Sequence, residues 1–422
     1  MIVKENSFIQ LFEKCLGVFS FGLVLFPKLV PVFFILLISV IVFGFIKNEV
    51  KFKLNTVGVL FILFYFAYLV GVIYTHNEVQ AMKYVENKLS FIILPILFSL
   101  NFKVKWSLNW LYTGFVFGVV VASIYSVIYG LLHNGQVYPD GITATLTSSF
   151  ISPLHHPTYF SAYILICIII LFIGWKEKIR FFSLYWIIPF TIFSLLLQGF
   201  LLSLSGILFL LMTIILAFIY YIKMKFGKIV FYISIVALPL MGFFTIKMIP
   251  SLEGEWGAAE GYAEIYLNSP ETFVESRVYP MSGSEVRIVM WTASAKTIRN
   301  FPFGVGTGNV DEYLGKELIR LKQDKLVHHN YNPHNQFFQT GVEIGIFGMF
   351  ILFSIIVTSF YYGYKFKNWL LIIITGSLFF NSLFESMLQN RSGIVFYTFW
   401  ICLLVLHIKN NHSRTVVKRL SH

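Results

Sequence analysis

Residues 29–46 read LVPVFFILLISVIVFGFI, an uncharged run in which only Pro31, Ser39 and Gly44 interrupt the large apolar side chains. A helix needs about 20 such residues to cross a hydrocarbon core. A surface helix of a soluble domain would instead keep one polar face. Comparable runs recur near 9–26, 56–75, 88–100, 107–132, 157–175, 181–197, 200–222, 228–249, 336–362, 369–388 and 393–408. The pattern predicts an all-α polytopic membrane protein with about twelve transmembrane helices. Composition agrees: 57% of the 422 residues are hydrophobic, 12% are charged and the mean hydropathy is +0.76. A soluble domain carries about a quarter charged residues, so a soluble enzyme, a disordered chain and a disulfide scaffold are all excluded.

The net charge of +12 is a topology signal and not a nucleic-acid footprint, because of where the cations fall. With a cytoplasmic N-terminus, basic residues crowd the inner segments: Lys47, Lys51 and Lys53; Lys103 and Lys105; Lys176, Lys178 and Arg180; Lys223, Lys225 and Lys228; Lys365 and Lys367; Lys409, Arg414, Lys418 and Arg419. The short outer loops hold only Lys28, Lys83, Lys88 and Arg391. This is the positive-inside asymmetry, and it places both termini in the cytoplasm. Cys15, Cys167 and Cys402 lie inside apolar runs and read as small buried hydrophobes, with no metal or disulfide spacing.

The organisation expected is therefore 1–249 for the first nine helices, 250–335 for one large external loop, 336–408 for the last three helices and 409–422 for a cytoplasmic tail. Within the loop, 251–281 is acidic and aromatic, and Ser282 with Glu285 has capping-box spacing, so a helix should run over 284–299. Asn300, Pro302 and Gly304 break it, and a second helix with alternating charges follows over 309–325. The intervening string Phe303-Gly304-Val305-Gly306-Thr307-Gly308-Asn309 is not a dinucleotide fingerprint, since a helix and not a strand precedes it.

The chemistry-bearing residues gather near the last part of this loop. Asn332-Pro333-His334-Asn335 opens an apolar helix, with Pro333 at its entrance, and Gly345 and Gly348 follow further along. An imidazole at a helix N-terminus can take a proton from a hydroxyl or, when charged, hold a phosphate; the plain alternative is an interfacial histidine that bonds locally. Glu343 is a carboxylate at membrane depth, a functional candidate by position, and Glu385 is a weaker case. Glu343 lies about 13 Å from His334 along an ideal helix, which points to a structural or gating role. Arg287, Arg299 and Arg277 offer planar forks suited to phosphate oxygens, against a plain reading as salt bridges to the acidic 253–275 region. His156 and Tyr159, after His155, could line the same external cavity. Three histidines over 328–334 without an acid give no metal site.

Together these residues resemble the O-antigen ligase and polymerase superfamily. The resemblance rests on His334-Asn335, nine residues, then Gly345-Ile346-Phe347-Gly348. It is extended by Tyr84 to Pro95, by His156-Pro157-Thr158-Tyr159, and by Arg287 through Trp291 to Pro302-Phe303-Gly304-Val305-Gly306. It implies a GT-C-like membrane glycosyltransferase of the bacterial inner membrane. Such an enzyme passes a glycan from undecaprenyl diphosphate to an acceptor hydroxyl, the lipid A core for a ligase, another glycan for a polymerase, or a protein side chain. It further implies His334 and Arg287 as catalytic, with Asn335, Arg299, Arg277, His156 and Tyr159 in substrate binding and no cofactor. Where relatives carry Ser-Arg or Ser-Lys, this chain has Ser203-Leu204, so either Arg299, Arg277 or Arg391 supplies that cation or the donor is gripped differently. The loop holds no Asp-x-Asp pair, consistent with arginines neutralising the diphosphate without metal. The rival reading is a lipid-linked glycan flippase, which should carry more charge along a membrane pathway.

Overall fold

The computed structural model describes residues 7–137, 147–179, 182–203, 205–215, 263–329 and 331–420, with the single positions 218, 225 and 261; for 148, 149 and 412–420 it describes the backbone alone. The expected span 228–249, much of 200–222, Leu204 and the acidic stretch 251–260 lie outside the described residues.

The chain is built of helices: α1 (Ser7–Leu25), α2 (Val30–Ile46), α3 (Thr56–Ile73), α4 (Glu78–Asn87), α5 (Ser90–Leu97), α6 (Asn109–His133), α7 (Pro157–Lys176), α8 (Leu184–Leu201) and α9 (Ser205–Ile215). The external segment adds α10 (Pro270–Glu275), α11 (Gly283–Asn300), α12 (Val310–Arg320) and α13 (Asp324–Val327), before α14 (Gln336–Lys365), α15 (Trp369–Ser382) and α16 (Arg391–Leu420). Among the described residues, eight helices are long and apolar enough to cross a membrane: α1, α2 with the short turn Pro27–Leu29 before it, α3, α6, α7, α8, α14 and α16. Helices α9 and α15 are apolar but shorter.

The expected span over 88–100 is not one helix. It is the second half of a broken element: α4 ends at Asn87, Lys88 and Leu89 form the joint, and α5 has only eight residues. A two-stranded antiparallel ladder explains how the chain still returns. Val50–Phe52 pairs with Leu100–Phe102, Val50 opposite Phe102. The segments bearing Lys47, Lys51 and Lys53 and bearing Lys103 and Lys105 are therefore at one end of the bundle. Helix α3 leaves from this ladder and α4–α5 come back to it, with Phe61 and Phe64 against Phe91 (5.8 and 5.3 Å between ring centroids) and the Lys88 ammonium 4.4 Å above the Tyr68 ring.

Helix α16 is the central post. Phe396, Phe399 and Trp400 are fully buried, and their rings meet Tyr163 of α7 (4.3 Å), Phe19 of α1 (4.6 Å) and Phe115 of α6 (5.2 Å). In lipid, apolar side chains gain little by leaving an apolar solvent, so such interlocking contacts and interhelical hydrogen bonds carry the packing. The helix continues to Leu420, past the expected boundary at 408.

The external helices form a second small core of Phe273, Val289, Met290, Leu314 and Leu318, to which Val342 of α14 contributes. The sequence reading of α11 holds: Ser282 accepts from the Glu285 N–H while Glu285 accepts from Ser282 N–H at 2.9 Å. The expected helix over 309–325 is two, because the chain turns at Lys322 with φ +57° before α13.

Candidate functional site

His334 is held in a sparsely populated backbone conformation, φ +46°, which costs a non-glycine residue of order 1 kcal/mol or more. Its backbone N–H donates to Asn332 Oδ1 at 2.7 Å, which closes a tight turn. The turn lies outside the helix. Asn335 is the N-cap of α14, its Oδ1 accepting from Phe337 and Phe338 N–H, and its Nδ2 donates to Leu383 O at 3.1 Å. Pro333 accordingly sits two residues before the cap, not in the first turn. Asn335, expected among the substrate-binding residues, is buried and committed to fixing this corner.

The partner of His334 comes from the loop between α15 and α16. Glu385 Oε2 lies 3.2 Å from His334 Nδ1, both side chains largely shielded from solvent. Ser386 N–H donates to Glu385 Oε1 at 3.1 Å, and Ser386 Oγ donates to Asn332 Oδ1 at 3.3 Å. An ionised carboxylate only accepts, so Nδ1 carries the hydrogen and the neutral ring keeps Nε2 as an acceptor. Burial alone would raise the Glu385 pKa. The hydrogen bond from His334, the charges of His334 and His156 and the Ser386 N–H outweigh it and hold the carboxyl below its ordinary value.

The N-terminus of α7 completes the rim. His156 is the N-cap residue, its ring 5.9 Å from that of Tyr159, whose hydroxyl donates to Ser386 O at 3.3 Å. The pKa of His156 is lowered, first by burial and further by the charge of His334, with Glu385 pulling the other way. His156, Tyr159, His334 and Glu385 thus lie in one cluster. Its neighbour His155 is a structural lock: Nε2 donates to Val24 O at 2.7 Å and Nδ1 accepts from Ser392 Oγ at 3.0 Å, burial pushing its pKa down to about 4.

The three arginines separate. Arg277 stacks on Phe273 (4.3 Å) and pairs with Glu285 at 3.5 Å, bridging α10 to α11. Arg299 is exposed at the last turn of α11, about 18 Å along the helix axis from Arg287, too far for both to grip one diphosphate. Arg287 makes no ion pair or hydrogen bond among the described residues, and its buried Nε has no partner. The external salt bridges go elsewhere: Lys296 to Glu271 (2.8 Å), Lys322 to Glu275 (2.7 Å) and Arg320 to Glu317 (3.0 Å). One turn along from Arg287, Trp291 meets Phe338 at the start of α14, with 6.3 Å between ring centroids.

Glu343 serves another purpose. Helix α14 is interrupted at Ile344 and Gly345, the latter at φ +76°, ψ −172°. The broken backbone is satisfied by the glycine string of the external segment. Val305 N–H donates to Val342 O at 2.8 Å, Gly306 N–H to Glu343 O at 3.1 Å, and Ile346 N–H to Pro302 O at 2.9 Å. Non-helical backbone at membrane depth is tolerated only where protein supplies such partners. The same strap is pinned to α3 by Thr307, whose N–H donates to Gly71 O and whose hydroxyl donates to Tyr68 O at 2.8 Å. The Glu343 side chain, fully buried, lies 3.9 Å from Lys88 Nζ, and Gln389 and Gln339 donate to it at 2.6 and 3.2 Å.

Sequence reasoning did not find the Glu385–His334 pairing or the partnership of Lys88 with Glu343. Position flagged the two carboxylates but not their partners, and Lys88, expected in a short outer loop, is fully buried beside Glu343.

The fold and site define a multi-pass helical membrane protein with a histidine–carboxylate pair at one end of the bundle, beneath a packed external segment. A family model described as O-antigen ligase matches residues 190–353, a stretch that contains Arg287, His334 and the break at Gly345. No curated protein matches the chain. The match covers less than half of the chain, and over that stretch the chain is similar to the O-antigen ligase family.

Proposed function

We propose that this protein transfers a glycan from undecaprenyl diphosphate to an acceptor hydroxyl, that of the lipid A core, on the outer face of the bacterial inner membrane. The observation that supports the reading is the hydrogen-bonded pair of His334 with Glu385 at one rim of a membrane bundle, whose adjoining external helix carries Arg287 with no partner for its buried Nε among the described residues.

The diphosphate leaves readily once its charge is neutralised. Arg287 binds its oxygens with the planar fork of its guanidinium. His334 Nε2 accepts the proton of the acceptor hydroxyl as that oxygen attacks the anomeric carbon, and Glu385 stabilises the imidazolium that results. The carbon–oxygen bond to the diphosphate breaks on the opposite side, so the reaction inverts configuration in a single displacement without a metal ion.

The reading is tested with purified protein and lipid-linked glycan. Transfer should persist in EDTA and be lost in His334→Ala and Arg287→Ala. Near wild-type turnover in both variants, or activity restored only by Mg²⁺ or Mn²⁺, would sink it. Deletion of the gene separates the acceptors: loss of all long chains from the lipid A core marks a ligase, whereas single repeat units left on the core mark a polymerase.

A further inference from the structure

A row of aromatic rings leads away from His334 across the external segment. Tyr331 lies 6.3 Å from His334, His329 lies 5.4 Å from Tyr331, and Tyr279 lies 5.4 Å from His329, all between ring centroids. Successive planes differ by 48°, 34° and 22°, so the rings turn gradually into near-parallel alignment with distance from the pair. Tyr279 and Tyr331 are half-buried against the external core, while His329 is exposed.

Resting on the proposed transferase reading, we infer that Tyr279, His329 and Tyr331 form a saccharide track, a set of subsites that hold successive pyranose rings of the glycan chain whose end is positioned at His334. Aromatic rings present a large apolar face with a polar edge, which suits a sugar whose C–H face is apolar and whose rim is hydroxylated. The spacing of neighbouring rings is comparable with the advance of one sugar per residue along a chain. An aromatic belt at a lipid–water boundary is the competing use of tyrosines. Such belts flank the lipid-facing ends of spanning helices, whereas these three residues stand on connecting segments and end at a polar cluster of His334, Glu385, Asn332 and His156.

The track is tested by saturation-transfer NMR on detergent-solubilised protein, using oligosaccharide fragments released from the producing cell's own surface polysaccharide. Wild type and His334→Ala should bind fragments longer than one repeat. His329→Ala and Tyr279→Leu should each weaken binding roughly three- to tenfold, the contribution of one aromatic contact, and raise KM for long substrates with little change in kcat. Tyr279→Phe keeps the ring and should bind normally, and thermal unfolding confirms that each variant is folded. Unchanged fragment affinity in both ring-deleting variants would overturn the track and return the rings to the lipid boundary. If wild-type protein binds fragments but transfers nothing to any acceptor, the transferase reading falls while the track stands.

Discussion

Glu385 Oε2 is within 3.2 Å of His334 Nδ1 although fifty-one positions separate the two residues. The α15–α16 connection brings the carboxylate back to the mouth of α14, and Asn335 ties the same corner by donating to Leu383 O. The imidazole is thus held from three sides: by its own strained turn, by Glu385, and by the Ser386–Asn332 hydrogen bond. Precision of this kind matters where a hydroxyl proton must be taken as a bond forms.

His334→Ala should lower kcat by roughly 10²–10⁴-fold, the usual contribution of a general base. Glu385→Gln should cost less, about tenfold, because it acts through the imidazole and keeps the hydrogen-bonding outline. Donor KM should stay near wild type in both. Steady-state transfer assays check this, and a Glu385→Gln effect confined to KM would remove the positioning role.

The depressed pKa of Glu385 fixes a sign for stability. A carboxyl whose folded pKa lies below its unfolded one stabilises the fold above the unfolded value, and that contribution is lost as pH falls through the folded value. Wild type should therefore melt above Glu385→Gln at neutral pH, and the gap should close once the pH is below the ordinary carboxylate range. Thermal melts of both proteins in one detergent at several pH values decide it; a gap that widens on acidification contradicts the pairing.

Arg287 separates binding from stability. Among the described residues its guanidinium makes no ion pair and its buried Nε has no partner, so Arg287→Met should leave the melting temperature unchanged or raise it. Loss of charged hydrogen bonds to the diphosphate should weaken donor binding by about 10–100-fold, and Arg287→Lys should recover little, lacking the planar fork. Lys296→Met should behave oppositely, with transfer intact and stability reduced by up to about 1 kcal/mol as its links to Glu271 and Glu317 disappear.

Local signals in the sequence carried a long way. The capping box at Ser282 and Glu285 marked α11 to within a residue or two, since both partners are three positions apart. Eight of the expected spans are helices long and apolar enough to cross a membrane, 369–388 gives a shorter apolar helix, and 228–249 lies outside the described residues. The errors fall where tertiary contacts replace local rules. Residues 88–100 resemble a short span because Lys88 interrupts the crossing, and nothing local tells that Tyr68, Gln389 and Glu343 wrap that ammonium. The interruption of α14 was equally hidden: glycine is common in membrane helices, and only the strap from 302–307 makes Gly345 a break and not a neutral position.

That strap gives a steric prediction. A Cβ on Gly345 would lie 2.4 Å from Pro302 O, and the backbone there is at φ +76°. Gly345→Ala should destabilise by roughly 2 kcal/mol or more, from strain together with displacement of the strap. Gly199→Ala on α8 meets open space and should be neutral or slightly stabilising. Equal melting temperatures for the two variants would show that the break is not held as described.

The Lys88–Glu343 pair makes the last and most demanding case. Lys88 and Glu343 are both fully shielded from solvent, and Glu343 belongs to the broken turn whose carbonyl anchors Gly306. Removing one member leaves the other charge buried without compensation, a loss of about 3–5 kcal/mol. Lys88→Met and Glu343→Gln should each lower stability strongly, the second somewhat less because Gln339 and Gln389 still offer hydrogen bonds. The double variant should be more stable than the sum of the single effects requires, since no charge is stranded. The strap should respond as well: limited proteolysis near 301–309 should speed up in either single variant and slow again in the double. A cycle with additive losses, or cleavage indifferent to all three changes, would mean that the pair packs beside the break without securing it.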